Sequence, residues 1–406
     1  MVSAMIQAAP GDLIEFDCGY FELSSTFQLT DTEDVLVKGC GKDKTVLSFK
    51  NNNAPEGVLA VNVRGVTYQD FTVADTGGNG FELRGVDNAK LLRVRAIWSS
   101  GGGRESADPI TADNYKDRLH VPCTDPPTQD PTAPENTLGD TTSPDYTPSP
   151  KSGRYGIYPV SSENVLVDDS ESIGASDAGI YVGQTNNAII KNSRSAYNVF
   201  GFEIENVQGG EYAHNVAECN TGGFLVYDLD GLRQYGDRSR MYGNTSRNNN
   251  TYNFTSGGIV GSVPPGSGMI TLSYDRIDIF DNTFENNNTA GIIHTSYEIF
   301  PEGAGRPEEK RIDWYSEGVH IFKNKFINNG NALPIATSNA IQNGDVAKVL
   351  PALVGAKTQA GCANPLNTAT CVAAGGTGLN ATGFRGAHIV WDGLVDTLAD
   401  CPYPKK

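Results

Sequence analysis

The stretch Ser176–Val207, SDAGIYVGQTNNAIIKNSRSAYNVFGFEIENV, holds two copies of one short phrase. Glycine followed by alternating apolar residues begins at Gly179 (GIYVGQ) and again at Gly201 (GFEIEN), 22 residues later. The phrase recurs at Gly57, Gly80, Gly156, Gly223, Gly268 and Gly291. Neighbours are 22 or 23 residues apart, with two exceptions. The interval 223–268 reads as two periods, and 80–156 as two periods plus an insertion of about thirty residues. A fixed period of this size marks a stacked-repeat architecture. Within each period, short apolar alternations run into Asn, Asp, Ser and Gly (NVLVDDSES, NAIIKNSRS, IDIFDNTFENN), the pattern of strands and turns. No sustained 3.6-residue stripe precedes the C-terminal region, and the leucine frame of a leucine-rich repeat is absent. The fold class that follows is all-β: a right-handed parallel β-helix with three short strands per coil. Stacked coils lie about 4.8 Å apart, and asparagines at the turns suit amide ladders between coils.

The 406-residue chain carries 46 Gly, with 38% hydrophobic and 19% charged residues, which fits the thin core of a solenoid. Residues 1–345 read as the β-helix with its N-terminal cap, and 346–406 as a C-terminal cap with a helix in NGDVAKVLPALVGAKTQ. Two excursions leave the repeat phase. One is Pro-, Thr- and Asp-rich at 101–153; the other is 297–317. The net charge of −17 argues against nucleic acid and against anionic membrane surfaces. It also disfavours a bare polyuronate unless local cations compensate, for which Arg233, Arg238 and Arg240 are candidates. No segment reads as a membrane insertion or a cleavable signal, so the chain is cytosolic or begins after a removed signal. Of the seven cysteines, Cys18 and Cys40 are one period apart and could stack in adjacent coils. Cys123 lies in the Pro-rich excursion and Cys219 beside a repeat turn, while Cys362, Cys371 and Cys401 fall in the C-terminal cap, where a disulfide is expected on export. No CxxC pair or His spacing suggests a structural zinc site.

The phrases SDAGIYVGQ and GFEIENV, together with KTVLSF, GSVPPGSG and EGVHIFKNKF, resemble a family of exported bacterial parallel β-helix repeat proteins. The likeness spans about Gly11 to Asn331. It implies the fold and export to the periplasm, cell surface or medium, and carries no defined activity. The broader superfamily is similar to pectate lyases, polygalacturonases, alginate lyases and mannuronan epimerases, which act on acidic polysaccharides. Their signatures are missing here. There is no paired-Asp with Gly-His-Gly set, no Asp-Pro-His motif and no Arg-x-Pro-x-x-Arg. Fold alone does not license their chemistry.

Strand alternation therefore has to identify the site. Ile157, Ile180, Phe202, Phe224, Met269 and Ile292 should face the core. Glu82, Tyr158, Tyr181, Glu203, Leu225, Ile270 and Ile293 should form one outward column. Arg84, Val160, Gly183, Glu205, Tyr227, Leu272 and Thr295 form a second, and Gln184, Asn206 and Asp228 continue a third at the turn. The middle coils then present Glu203, Glu205 and Asp228 as candidate catalytic carboxylates. Tyr158, Tyr181, Gln184, Asn206, Tyr227, Asp230 and Arg233 are the candidate substrate contacts. Paired carboxylates at this spacing suit glycoside chemistry, and like-charge proximity would split their pKa values. The same Glu203, Glu205 and Asp228 could hold Ca²⁺, or they could form a solvated acidic face. His294 is expected to be structural. The leading expectation is an exported protein that binds and cleaves a carbohydrate polymer, by lyase or hydrolase chemistry, in a groove walled by the two excursions. The alternative is a scaffold that docks a protein partner on an exposed apolar stripe of Leu225, Ile270, Leu272 and Ile293.

Overall fold

The recurring glycine serves close approach between coils rather than a turn. A Cβ on Gly156 or Gly179 would lie 2.0 Å from the hydroxyl of Ser172 or Ser195. On Gly268 it would meet the carbonyl oxygen of Gly291 at 2.3 Å. Only hydrogen fits where the corner of one coil sits on the next. The computed structural model describes residues 8–52, 55–124, 146–255, 257–295, 297, 307–308, 311–314, 316 and 319–329, and beyond these only the backbone at 353–354, 361–362, 370–373 and 377–380.

Among the described residues three ten-stranded sheets run the length of the solenoid. Each regular coil gives one strand to each sheet. Asn186–Lys191 lies in sheet A, Arg194–Ala196 in sheet B and Phe200–Glu205 in sheet C. Pairing is parallel and in register: Ile157 opposes Ile180, Ile180 opposes Phe202, Phe202 opposes Phe224, and Phe224 opposes Met269. The right-handed rise is the hand that strand twist imposes on parallel connections. Two readings of the period are corrected here. The strand Gly222–Tyr227 pairs directly with Ser267–Leu272, and Phe81–Arg84 directly with Tyr155–Val160. Each long interval is therefore one coil enlarged by loops, because loops lengthen the path without breaking the ladder.

The turns explain the abundance of asparagine twice over. Asn192, Asn206, Asn248, Asn286 and Asn328 take left-handed φ values of 51–53°, which Asn tolerates better than other side chains. Different asparagines build two buried ladders: Asn198–Asn220–Asn249–Asn287–Asn329 and Asn215–Asn244–Asn282–Asn324. The Asn220 amide oxygen accepts from the Asn198 backbone N–H at 2.9 Å and from its side chain at 3.0 Å. The Asn220 NH₂ donates to Asn249 on the next coil and to the Ser195 carbonyl on the previous one.

The central core is the column expected from the sequence, with Ile157, Ile180, Phe202, Phe224, Met269 and Ile292 all buried. The outer faces differ from one another. Sheet A alternates buried and open positions, as in Asp87–Leu92, and faces water. Sheets B and C are each covered by an excursion. Ile110, Tyr115, Leu119, Val121 and Tyr146 from the first excursion pack on Ile97, Ile173 and Ala196 of sheet B. Tyr297 and Ile312 from the second, with Tyr252, Phe254 and Val260, pack on Leu225, Ile270, Leu272 and Ile293 of sheet C. Among the described residues the two excursions thus pack mainly on different faces, the first also meeting the cover of sheet C where the Pro148 carbonyl accepts from Tyr252. The apolar stripe expected to be open for docking is buried within the chain, because these loops satisfy it first.

Cys18 and Cys40 are joined, as their one-coil separation allowed, and a second disulfide joins Cys123 to Cys219. Disulfides of this kind fit an oxidising compartment. No described helix is long and apolar enough to cross a membrane. Beyond residue 329, the expected helix lies outside the described residues except Leu353–Val354, a strand antiparallel to Ala290–Thr295. The domain boundary at 345/346 also lies outside them.

Replacing Asn249 by Ala would orphan the backbone N–H and one side-chain N–H of Asn220, both fully buried; the other side-chain N–H keeps the Ser195 carbonyl. Each orphan costs about 1–3 kcal/mol. The stability of Asn249→Ala in denaturant should fall clearly below that of wild type, whereas Glu163→Gln, at a water-facing strand position, should leave it within about 0.5 kcal/mol. Equal loss in both variants would mean the ladder adds nothing beyond general packing.

Candidate functional site

Both outward columns of sheet C stand in the register expected. Tyr181 neighbours Glu203 and Glu203 neighbours Leu225; Gly183 neighbours Glu205 and Glu205 neighbours Tyr227. Their exposure is not as expected. Glu203 is 2% exposed, Glu205 6%, Tyr181 4% and Tyr227 2%. The expected solvated acidic face is instead a buried polar cluster, at the boundary between the covered apolar half of sheet C and its more open N-terminal half.

The hydrogen bonds fix a proton count. The Tyr227 oxygen lies 2.5 Å from Glu203 Oε1 and 2.7 Å from Glu205 Oε2. A phenol has one proton, so it donates to one carboxyl and accepts from the other. The geometry therefore favours a proton on one of the two glutamates. Glu205 Oε1 already accepts from the Tyr181 hydroxyl and the Gln184 amide, each at 2.6 Å, which favours its charge. Glu203 Oε2 has no partner among the described residues. Burial raises the Glu203 pKa well above the carboxylate range, and the nearby Asp177 charge adds to this. Burial also raises Glu205, against the opposing hydrogen bonds of Tyr181 and Tyr227. The arrangement is a hydrogen-bonded chain Glu203–Tyr227–Glu205, with Tyr181 and Gln184 also bonding Glu205, along which a proton on Glu203 can pass through Tyr227.

The open side of the cluster is aromatic and cationic. Tyr155 and Tyr158 are half-buried and stacked at 4.6 Å, and both contact Tyr181, at 4.9 and 4.8 Å between ring centroids. Arg154 lies over the Tyr155 ring and bonds buried Asp177 at 2.7 Å. Arg84 bonds buried Glu82 on the other flank. The two arginine side chains remain 58% (Arg84) and 64% (Arg154) exposed, so most of their N–H groups are open to a ligand. Burial holds the Tyr158 phenol up at about 12.

Other candidates hold the scaffold. Both Asp228 oxygens accept from the Gly236 N–H, at 2.7 and 2.9 Å. Asn206 fastens Leu229 and Gln234. Arg233 donates to the Gln184 carbonyl, and Asp230 pairs with Arg311 at 3.0 Å. Arg238 pairs with Asp237, and Arg240 lies over Tyr242. The arginines beside the Tyr155–Tyr158 face are Arg84 and Arg154, each paired to a carboxylate. Nor do Glu203, Glu205 and Asp228 fit a calcium cage. Asp228 is committed to Gly236, and no group of three acidic, His or Cys side chains among the described residues converges on a metal position. His294 is fully buried against Thr271, and burial lowers its pKa to about 3. Sequence reading passed over Arg154 and Tyr155. The available signal was position, since they precede their glycine one coil below Asp177 and Ala178.

Neither a protein-family model nor a curated relative matches the chain. Solved structures do. The A-module of the mannuronan C-5 epimerase AlgE6 from Azotobacter vinelandii aligns over 80% of each chain at 13% identity and a TM-score of 0.50. The A-module of AlgE4 from the same organism aligns over 79% of this chain and 81% of that one at 12% identity, with a TM-score of 0.44. A PL6 alginate lyase bound to a trisaccharide covers 97% of this chain and 76% of its own at 10% identity, with a TM-score of 0.40. At this identity the likeness is one of fold: the chain is a parallel β-helix.

Buried carboxyls set the pH response. Burial raises Asp228 from 3.8 to about 8 and Asp75 from 3.8 to about 6. A raised carboxyl binds its proton more tightly folded than unfolded, so its stabilising contribution is present at low pH and is lost as pH rises through the folded value. The unfolding midpoint should fall as pH rises from about 5 to about 8.5. Asp228→Asn should flatten the upper part of that slope, from about pH 6 to 8. A wild-type midpoint that climbs across this range would contradict the burial of these groups.

Proposed function

We propose that the protein binds an acidic carbohydrate polymer across the Tyr155–Tyr158 face of sheet C and cleaves it by β-elimination. The observation that carries this reading is the Glu203–Tyr227–Glu205–Tyr181 hydrogen-bond chain ending against a tyrosine platform with an arginine on either flank. Sugar rings stack on aromatic faces, and guanidinium groups pair with uronate carboxylates. The exposed N–H groups of Arg84 and Arg154, each also paired to a buried carboxylate, are the donors offered to an anionic ligand on this face. The β-helix neighbours named above, an alginate lyase and mannuronan epimerases, support a polysaccharide ligand by likeness of fold only.

Elimination suits the proton inventory better than hydrolysis. A retaining hydrolase needs a free carboxylate nucleophile and an inverting one a carboxylate-bound water. Here Glu203 holds a proton, and both Glu205 oxygens accept from neighbouring groups. In elimination, the proton on the carbon beside the uronate carboxylate passes to Tyr181 as Tyr181 passes its own to Glu205. The electron pair left on carbon forms the double bond, and the C–O bond to the leaving sugar breaks. The leaving oxygen takes a proton from Tyr158, whose raised pKa keeps it protonated. Export to an oxidising compartment, where such polymers are met, belongs to the same proposal and agrees with the two disulfides.

Turnover on a panel of uronate polymers tests the proposal, following ultraviolet absorbance of unsaturated ends alongside reducing ends. Both signals should rise together. Glu205→Gln and Tyr181→Phe should each lower kcat by roughly 10²-fold or more, and Arg84→Ala with Arg154→Ala should raise KM. Reducing ends without absorbance would replace elimination with hydrolysis. Silence of the folded protein on every uronate polymer would overturn the reading.

A further inference from the structure

Gly183 closes the strand Ala178–Gly183 at a position where the outward column of sheet C calls for a side chain. Its ladder neighbours in that column are Val160 on the coil before and Glu205 on the coil after. The backbone does not ask for glycine there. Its φ lies outside the left-handed region, whereas Gln184 beside it takes the left-handed turn at 43°. The Gly183 carbonyl accepts from the Ser161 N–H and the Thr185 hydroxyl, each at 2.9 Å. Glycine loses more freedom on folding than any other residue, so a glycine that the backbone does not require needs another reason.

That reason is Tyr181, two residues earlier on the same face. A Cβ on Gly183 would lie 2.5 and 2.7 Å from two ring carbons of Tyr181, and closer still to its hydroxyl oxygen. These are the three nearest atoms it would meet. At Gly156, Gly179 and Gly268 the nearest obstacle is a serine hydroxyl or a carbonyl on the next coil; at Gly183 it is the far end of a side chain from its own strand. Tyr181 therefore lies back along its strand across Gly183. That path brings its hydroxyl to Glu205 Oε1 at 2.6 Å, where the Gln184 amide also donates at 2.6 Å. Tyr155 and Tyr158 pack on the same ring, with centroids 4.9 and 4.8 Å away.

We propose that Gly183 is a positioning residue: the side chain it lacks is the space that Tyr181 occupies to reach Glu205. A methyl group there pushes the phenol off the carboxylate and leaves the strand ladder intact. The Tyr227 bond to Glu205 also survives, because it uses the other oxygen, Oε2. In the elimination proposed above, Tyr181 takes the carbon proton as it passes its own to Glu205, and the part of Gly183 in turnover rests on that reading. Displacing the phenol misplaces the proton acceptor and spares the arginines that bind the polymer.

NMR of tyrosine isotope-labelled at the ring carbon Cζ reads the contact without substrate. The Tyr181 signal, identified by its loss in Tyr181→Phe, should move in Glu205→Gln, which removes the charged partner. It should also move in Gly183→Ala, which keeps Glu205. Gly183→Ala should lower the folding constant by about tenfold more with Tyr181 present than in Tyr181→Ala, where the new Cβ has room. On a cleaved polymer, Gly183→Ala should lower kcat by roughly 10²-fold with KM little changed, and should lower it no further in Tyr181→Phe. A Tyr181 signal that stays in place in folded Gly183→Ala would overturn the proposal. So would an equal effect on stability with and without the Tyr181 side chain, or a moved signal with unchanged kcat. If Gly183→Ala alone does not fold, the same substitution combined with Tyr181→Ala should restore folding, and failure to do so where Tyr181→Ala folds would overturn the proposal too. Failure of the elimination reading shows separately, as wild-type protein that cleaves no polymer, and the signal and stability comparisons decide the contact without it.

Discussion

In the Asn198–Asn220–Asn249–Asn287–Asn329 ladder, each internal amide oxygen accepts two N–H groups from the coil before it, and each amide nitrogen bonds the coils on both sides. No donor or acceptor is left over, so the buried amides cost little desolvation and lock the register. The glycine column imposes the same constraint sterically, because no other residue lets one corner rest on the next. Together they make the coil stack tolerant of insertion. The enlarged coils after Arg84 and Tyr227 leave the ladder above and below unbroken.

That tolerance produces the functional architecture. A bare three-sided solenoid exposes three polar-alternating faces, whereas here inserted segments cover sheet B and the later coils of sheet C. On sheet C, the covering turns an outward column of Tyr and Glu into a low-dielectric cluster in which carboxyl and phenol groups share protons. In water, Glu203 and Glu205 would be two ordinary carboxylates. Beneath Tyr297, Tyr252 and their neighbours, one of them keeps its proton. On sheet B, the covering does not close completely and leaves a recess. The solenoid is thus a ruler that sets which side chains are neighbours, and the insertions decide whether those neighbours meet water.

The legible part of the site was its lateral order. Period-two alternation and a fixed glycine phase placed Tyr181 beside Glu203, and Glu205 beside Tyr227, because a parallel ladder pairs residues one coil apart. Burial was not legible, since it depends on Tyr252, Phe254 and Ile312, residues remote in sequence whose own alternation says nothing about where they land. The scaffold contacts of Asp228, Asn206 and Arg233 were not legible for a related reason. A polar residue at a turn can serve a ligand or a neighbouring loop, and here the 229–236 loop claims all three. Arg154 and Tyr155 were missed because they stand outside the repeated phrase, at the edge where the first excursion rejoins the sheet.

The sequence by itself determined the coil: its glycine corner, its asparagine turns, its inward apolar column and the order of side chains along each outer column. These are local or nearest-coil properties, repeated often enough to be read directly. The tertiary structure alone decided which faces are covered, that Cys123 meets Cys219, that two corner-to-corner intervals are single enlarged coils, and that the two glutamates are buried and bridged by one tyrosine. Each of these depends on contacts between segments with no common period, and for such contacts the chain carries no register to read.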